Sequence, residues 1–182
     1  MKTNNLFLKA LAVMCAMTMS IMFTACGGDD DDNPNNENTP VEVVMLYSLS
    51  SNEEMRNLLD ITIEYYDADG NVQTEMMTED VWSREIRTKL PATLGTHVNY
   101  QLKDGIDINT VGKPVFTYGY ELNGSAKNSK GKTICGSVFK KSGETIRLKE
   151  GKLPDWLARH SNSLVNFRFD YDVNGNVTEG SW

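Results

Sequence analysis

Histidine is nearly absent from this chain: His97 and His160 are the only two among 182 residues. A serine or cysteine nucleophile needs an adjacent base, and two histidines give little to build one from. H-E-x-x-H, C-x-x-C and G-x-S-x-G do not occur, which removes the zinc-protease, dithiol and nucleophile-elbow signatures. Basic charge is also short, with 18 Lys and Arg against 25 Asp and Glu. Nucleic acid binding requires a positive footprint, so nucleic acid is excluded as a partner. Cysteine is limited to Cys15, Cys26 and Cys135. Cys135 lies among Thr133, Ile134 and Val138, a strand-like setting that makes it a small core residue.

What is present begins with an N-terminal pattern. Lys2 and Lys9 form a short positive region, Leu11 to Phe23 is apolar, and Thr24-Ala25-Cys26 follows. The apolar run is too short to span a bilayer comfortably as a permanent helix. Thr24-Ala25-Cys26 resembles the lipobox of bacterial lipoprotein precursors, with Phe23 where Leu is more common. Asp29 to Asp32, directly after Gly27-Gly28, resembles the acidic surface-export signal of Bacteroidota lipoproteins. The resemblance implies removal of residues 1–25 as a signal peptide and acylation of Cys26. It further implies a lipid anchor in the outer membrane and exposure at the cell surface. Two or more acyl chains, at roughly 0.8 kcal/mol per buried methylene, hold a protein on a membrane stably. On that reading Cys15 is discarded and Cys26 is acylated, so no intrachain disulfide can form.

Removing residues 1–25 takes two lysines and no acid, leaving 16 basic and 25 acidic side chains, a net charge of -9. Five of those acids lie between Cys26 and Pro40, so residues 41–182 carry -4. From Gly27 to Pro40 there is no large apolar side chain. Such a segment cannot recover its ordering entropy by burial, and it reads as a flexible acidic tether spanning residues 26–40. Square-root scaling gives it a reach on the order of 20 Å. Residues 41–182 then form one domain of ordinary size with a single core.

Alternation dominates that domain. Leu59, Ile61, Ile63 and Tyr65 face one way and Asp60, Thr62, Glu64 and Tyr66 the other, the period of a half-buried strand. Residues 41–49 form an apolar strand before it, and Asn52 to Asn57 has room for one helical turn. Asp67-Ala68-Asp69-Gly70-Asn71 turns the chain into Val72 to Met77, giving a hairpin. The C-terminal region repeats the arrangement. Val165, Phe167, Phe169 and Tyr171 alternate with polar residues, and Asp172-Val173-Asn174-Gly175-Asn176 leads into Val177 to Trp182. Gly70 and Gly175 supply the positive φ that such turns need. Between the hairpins, strands are expected over 82–90 (ended by Pro91), 98–102, 116–122, 134–138 and 145–149. The one convincing helix is Pro154 to Arg159, with proline early and Asp155 in its first turn. About nine short strands separated by turns predict an all-β fold, an antiparallel two-sheet sandwich with one short helix. Its outline is similar to immunoglobulin-like or transthyretin-like domains.

Three apparent signatures fail on context. Asp170-x-Asp172-x-Asn174-Gly175 matches the start of an EF-hand loop, but the twelfth position is Ser181 and the flanks are strands, not helices. Asp170, Asp172 and Asn174 are therefore only a weak metal alternative. Ala126 to Thr133 matches a relaxed phosphate loop, which needs Thr133 to open a helix; Thr133-Ile134-Cys135-Gly136 is instead strand-like. Ser129-x-x-Lys132 and Ser137-x-x-Lys140 have the spacing of a serine–lysine pair but fall in loop or strand. No cofactor is implied. A carboxylate pair among the twenty acids of the domain is the remaining hydrolytic arrangement, and spacing selects none.

The leading expectation is a non-catalytic binding module for a glycan or protein ligand, tethered to the membrane through Cys26. Stacking platforms for a glycan would come from Trp82, Trp156 and Trp182. Trp82 shares a strand face with Ile86 and Leu90, and Trp156 lies in the helix beside Leu153 and Leu157, so core packing competes for both. The alternative expectation is an accessory subunit of a surface assembly, joined by strand addition at a sheet edge.

Overall fold

The computed structural model describes residues 37–182. The signal-peptide segment, Cys26 and the Asp29 to Asp32 run lie outside the described residues. Nine strands and two short helices follow in order: β1 (Glu42–Ser51), α1 (Glu53–Leu58), β2 (Leu59–Tyr66), β3 (Val72–Met76), β4 (Val81–Lys89), β5 (Ala92–Leu102), β6 (Val115–Lys127), β7 (Thr133–Arg147), α2 (Leu153–His160), β8 (Asn166–Tyr171) and β9 (Val177–Gly180). They form two antiparallel sheets, β4-β1-β6-β7 and β3-β2-β5-β8-β9. The all-β two-sheet sandwich read from the alternation is the observed fold. In immunoglobulin domains the first two strands share a sheet; here β1 and β2 belong to opposite sheets.

Period-two patterning accounts for the core. Leu59, Ile61, Ile63 and Tyr65 of β2 are buried, while the residues between them are half-exposed. They share the core with Val43, Met45, Tyr47 and Leu49 of β1, Leu94 and Val98 of β5, Leu122 of β6 and Phe169 of β8. At about 25 cal/mol per Å² of apolar surface, each fully buried aliphatic side chain contributes roughly 1.5–3 kcal/mol. One end of the sandwich is closed by helices. Met55 of α1 and Leu153 and Trp156 of α2 are buried, and the Trp156 ring lies 5.1 Å from Phe116 and 6.0 Å from Tyr100.

Both open seams between the sheets are closed by polar side chains. On one seam Glu75 of β3 accepts hydrogen bonds from Tyr65 Oη (2.7 Å), Trp82 Nε1 (2.9 Å) and Arg84 Nε (3.0 Å). On the other, Lys140 of β7 pairs with Glu179 of β9 at 2.6 Å. The 172–176 turn also docks on β7, where Cys135 Sγ donates to the Asn174 carbonyl at 3.3 Å.

The structure departs from the pattern reading in four places. The strands expected over 134–138 and 145–149 are one 15-residue strand, β7. Ser142-Gly143 does not turn, because Gly143 stays in register opposite Gly119 of β6. There are two short helices, the first capped by Asn52, whose Oδ1 accepts the Met55 amide. β5 begins at Ala92, before Gly95, and pairs with β8 from its first residue. The end of the expected tether is docked: the Glu37 carbonyl accepts from Asn128 Nδ2 at 2.5 Å, and the Val41 amide donates to the Lys127 carbonyl at 2.8 Å. Among the described residues no helix is long and apolar enough to cross a membrane.

Three hairpin turns share one design. In 67–71, 128–132 and 172–176 the first residue's side-chain oxygen accepts the amides two and four residues on, at 2.9–3.0 Å. In each, the fourth residue is a glycine with φ of +76 to +79°. Asx side chains favour this local bonding, and only glycine takes that φ without steric cost. The Asp67 to Asn71 and Asp172 to Asn176 clusters announced two of these turns; Asn128-Ser129-Lys130-Gly131-Lys132 carries the same Asx-x-x-Gly signal with different surroundings.

Candidate functional site

The three tryptophans occupy different environments. Trp82, 7% exposed, packs 5.4 Å from Tyr65 and gives its N–H to Glu75. Trp156, 2% exposed, fills the helical end of the core. Neither offers a ring face to a ligand, which corrects their candidacy: packing against Tyr65 and Phe116 uses the surface that stacking would need. Trp182 is different. It lies beyond β9 and remains half-exposed, turned back over the outer face of the five-stranded sheet.

That face is built by the polar side of the alternation. Glu64 and Tyr66 of β2, His97 and Asn99 of β5, and Asn166 and Arg168 of β8 all point away from the core strand faces. The Trp182 amide donates to Asn166 Oδ1 at 2.7 Å, which fixes the crossing of the chain. Its indole rests 4.5 Å from the Tyr66 ring, tilted by 41°, and stacks on the His97 imidazole at 6.3 Å with an interplanar angle of 15°. His97 is in turn held at both nitrogens, by Glu64 Oε2 at 3.1 Å and the Asn162 carbonyl at 3.3 Å. The result is an aromatic platform oriented from behind by polar contacts, with planar amide, carboxylate and guanidinium groups around it.

Electrostatics set the character of the rim. Arg168 directs Nε (3.1 Å) and a terminal nitrogen (3.0 Å) to Asp170 Oδ1, which also accepts from Thr93 Oγ1 at 2.7 Å. Burial alone would raise the Asp170 carboxyl, but the Thr93 and Arg168 hydrogen bonds outweigh it and hold it below its usual range. At the turn that follows Tyr66 the surface dips into a cleft of about 330 Å³ lined by Asp67, Ala68, Asp69, Gly70, Thr88, Pro91, Ala92 and Thr93. The Asn71 amide, donating to Asp67, lowers that carboxyl below its ordinary value. The cleft begins at the residue after Tyr66, and Thr93 on its wall bonds the Asp170 that holds Arg168.

The other sequence signatures resolve into structure. Asp170 bonds Thr93 and Arg168, while Asp172 Oδ1 accepts the amides of Asn174 and Asn176 at 2.9 Å, so these oxygens serve the strand and turn. Among the described residues no three His, Cys, Asp or Glu side chains converge as ion ligands. Thr133 opens β7, not a helix, so the phosphate-loop geometry is lacking. Cys135 is buried beneath the 172–176 turn. Tyr66, His97, Glu64 and Asn166 were not singled out by motif. The available signal was Tyr66 itself, an aromatic on the outward side of an otherwise polar strand face.

These observations define a class: an antiparallel β-sandwich with polar side chains bridging both seams and a half-exposed tryptophan laid over the outer face of its five-stranded sheet. Comparison of the chain with family models, curated proteins and solved structures finds no match.

Proposed function

We propose that this protein is an outer-membrane lipoprotein, anchored through acylated Cys26 and exposed at the cell surface, whose β-sandwich is a non-catalytic glycan-binding module. The observation that carries the reading is the half-exposed Trp182 on Tyr66, set among planar polar side chains on an open sheet face. A pyranose ring has a C–H face that complements the negative face of an aromatic ring. Its vicinal hydroxyls suit carboxylate, amide and guanidinium groups, which present paired donors or acceptors. Ligand sites commonly combine an apolar surface with a few placed polar groups in this way.

Strand addition is less well supported. It favours a long, uncharged edge, whereas the edge strands β3 and β9 have five and four residues, β4 carries Arg84, Glu85, Arg87 and Lys89, and β7 carries Lys140 and Lys141. The test is a thermal-shift and calorimetric screen of a glycan panel against the protein and its Trp182→Ala variant. A saturable glycan signal that the variant loses is expected. A signal seen only with a protein ligand, or one unchanged in the variant, overturns the glycan reading. The anchor is tested separately: fatty-acid labelling and membrane fractionation should both be lost in Cys26→Ala, and retention of either removes the lipoprotein assignment.

A further inference from the structure

We infer that the site takes an extended, uncharged oligosaccharide, with one ring on the Trp182–Tyr66 platform and the chain continuing into the cleft between the 67–71 turn and the start of β5. This rests on the glycan-binding reading above and adds a second subsite to it. The cleft is at the small end of ligand-sized pockets, which run from roughly 300 Å³ upward, and its 330 Å³ lies directly after Tyr66 in the chain. A ligand confined to the platform would leave the cleft unused; a linear one leaving the Tyr66 side enters it.

Charge sets the ligand class. Asp67 and Asp69 line the cleft and no basic side chain does. Asp67 is ionised, and Arg168 on the sheet face is paired with Asp170. A uronate or sulfated chain would therefore bring like charge against the carboxylates that line the cleft. Neutral hydroxyls meet acceptors without that repulsion, and the Thr93 hydroxyl, its proton given to Asp170, adds a further acceptor at the far wall.

The experiment uses the full chain and measures tryptophan fluorescence and heats of binding for neutral gluco- and manno-oligosaccharides of increasing length, with polygalacturonate as the anionic comparison. For the series that binds, affinity should rise about tenfold between disaccharide and tetrasaccharide, the increment expected when a second set of contacts is engaged. Ala68→Trp, which fills the cleft from an exposed position, should reduce tetrasaccharide affinity to the disaccharide level and leave disaccharide binding intact. Polygalacturonate should not bind. Length-independent affinity in the unaltered protein overturns the second subsite while leaving platform binding in place. Tighter binding of polygalacturonate than of any neutral chain overturns the charge argument. Absence of every sugar signal overturns this inference together with the glycan reading beneath it.

Discussion

The Tyr47 hydroxyl, reaching from β1 across the core, accepts the Gly95 backbone amide of the opposite sheet at 2.8 Å. β2 pairs with β5 only as far as Thr96, so the Gly95 amide has left that ladder and is buried. A buried amide without a partner costs about 1–3 kcal/mol, and the tyrosine, fully buried itself, supplies the partner. Desolvation pushes the Tyr47 hydroxyl far above its ordinary pKa, with the Gly95 amide opposing, so it stays neutral. Tyr47→Phe should lower the unfolding free energy by about 1–3 kcal/mol with an unchanged m-value. Urea titration reads this directly, and an unchanged midpoint would show the bond to be dispensable.

Gly70 and Gly175 occupy the same position in matching turns, with φ of +79 and +76°, yet their surroundings differ. A Cβ at Gly70 meets nothing within 4 Å, whereas one at Gly175 would fall 2.7 Å from Ala126 Cβ and 2.9 Å from Cys135 Sγ. Gly70→Ala should cost about 1–2 kcal/mol, the left-handed backbone term alone. Gly175→Ala should cost about 1–3 kcal/mol more, because the turn must lift off β7. Equal losses in the two variants would contradict the docking of the 172–176 turn.

Much of this fold was legible because burial follows a period of two. The β2 pattern Leu59, Ile61, Ile63, Tyr65 survives without exception, and the Asp67 and Asp172 turns follow from Asx and glycine chemistry alone. Ser142-Gly143 misled because a glycine in an edge strand opposite another glycine has the composition of a turn without being one. The candidate site was less legible. Trp82, Trp156 and Trp182 are the same residue type, and their separation into seam, core and surface depends on contacts distant in sequence: Glu75, Phe116 and Asn166. His97 joined the site only through the pairing of β5 with β2 and β8, which no local pattern reports.

The tryptophans should separate energetically as well. Trp156→Ala removes a ring 2% exposed and should cost about 3–5 kcal/mol through the cavity it leaves. Trp182→Ala loses only surface ring contacts, with Tyr66 and His97, each worth about 0.5–1.5 kcal/mol, and should cost less than Trp156→Ala. Chemical denaturation of both variants checks the contrast. A comparable loss at Trp182 would make it a structural clasp, and any binding defect of that variant would then need a milder substitution such as Trp182→Phe to interpret.

The Glu75 seam should make stability depend on acid pH in a defined direction. Burial raises the Glu75 carboxyl, but hydrogen bonds from Tyr65, Trp82 and Arg84 outweigh it and set the folded value below the ordinary 4.5. A group whose pKa is depressed on folding binds fewer protons folded than unfolded, so its contribution is complete above the ordinary value. That contribution fades as pH falls below 4.5 and through the folded value. Asp67 and Asp172, lowered mainly by hydrogen bonds from Asn71 and Asn176, act in the same sense. Glu75→Gln keeps the shape and removes the charge, so the variant should be less stable than the parent at neutral pH. The two should converge as pH falls through the folded value, below which the parent carboxylate is protonated as well. Denaturation midpoints at neutral and acid pH decide it: a gap that stays constant would mean that Glu75 stabilises the seam through packing alone and not through its charge.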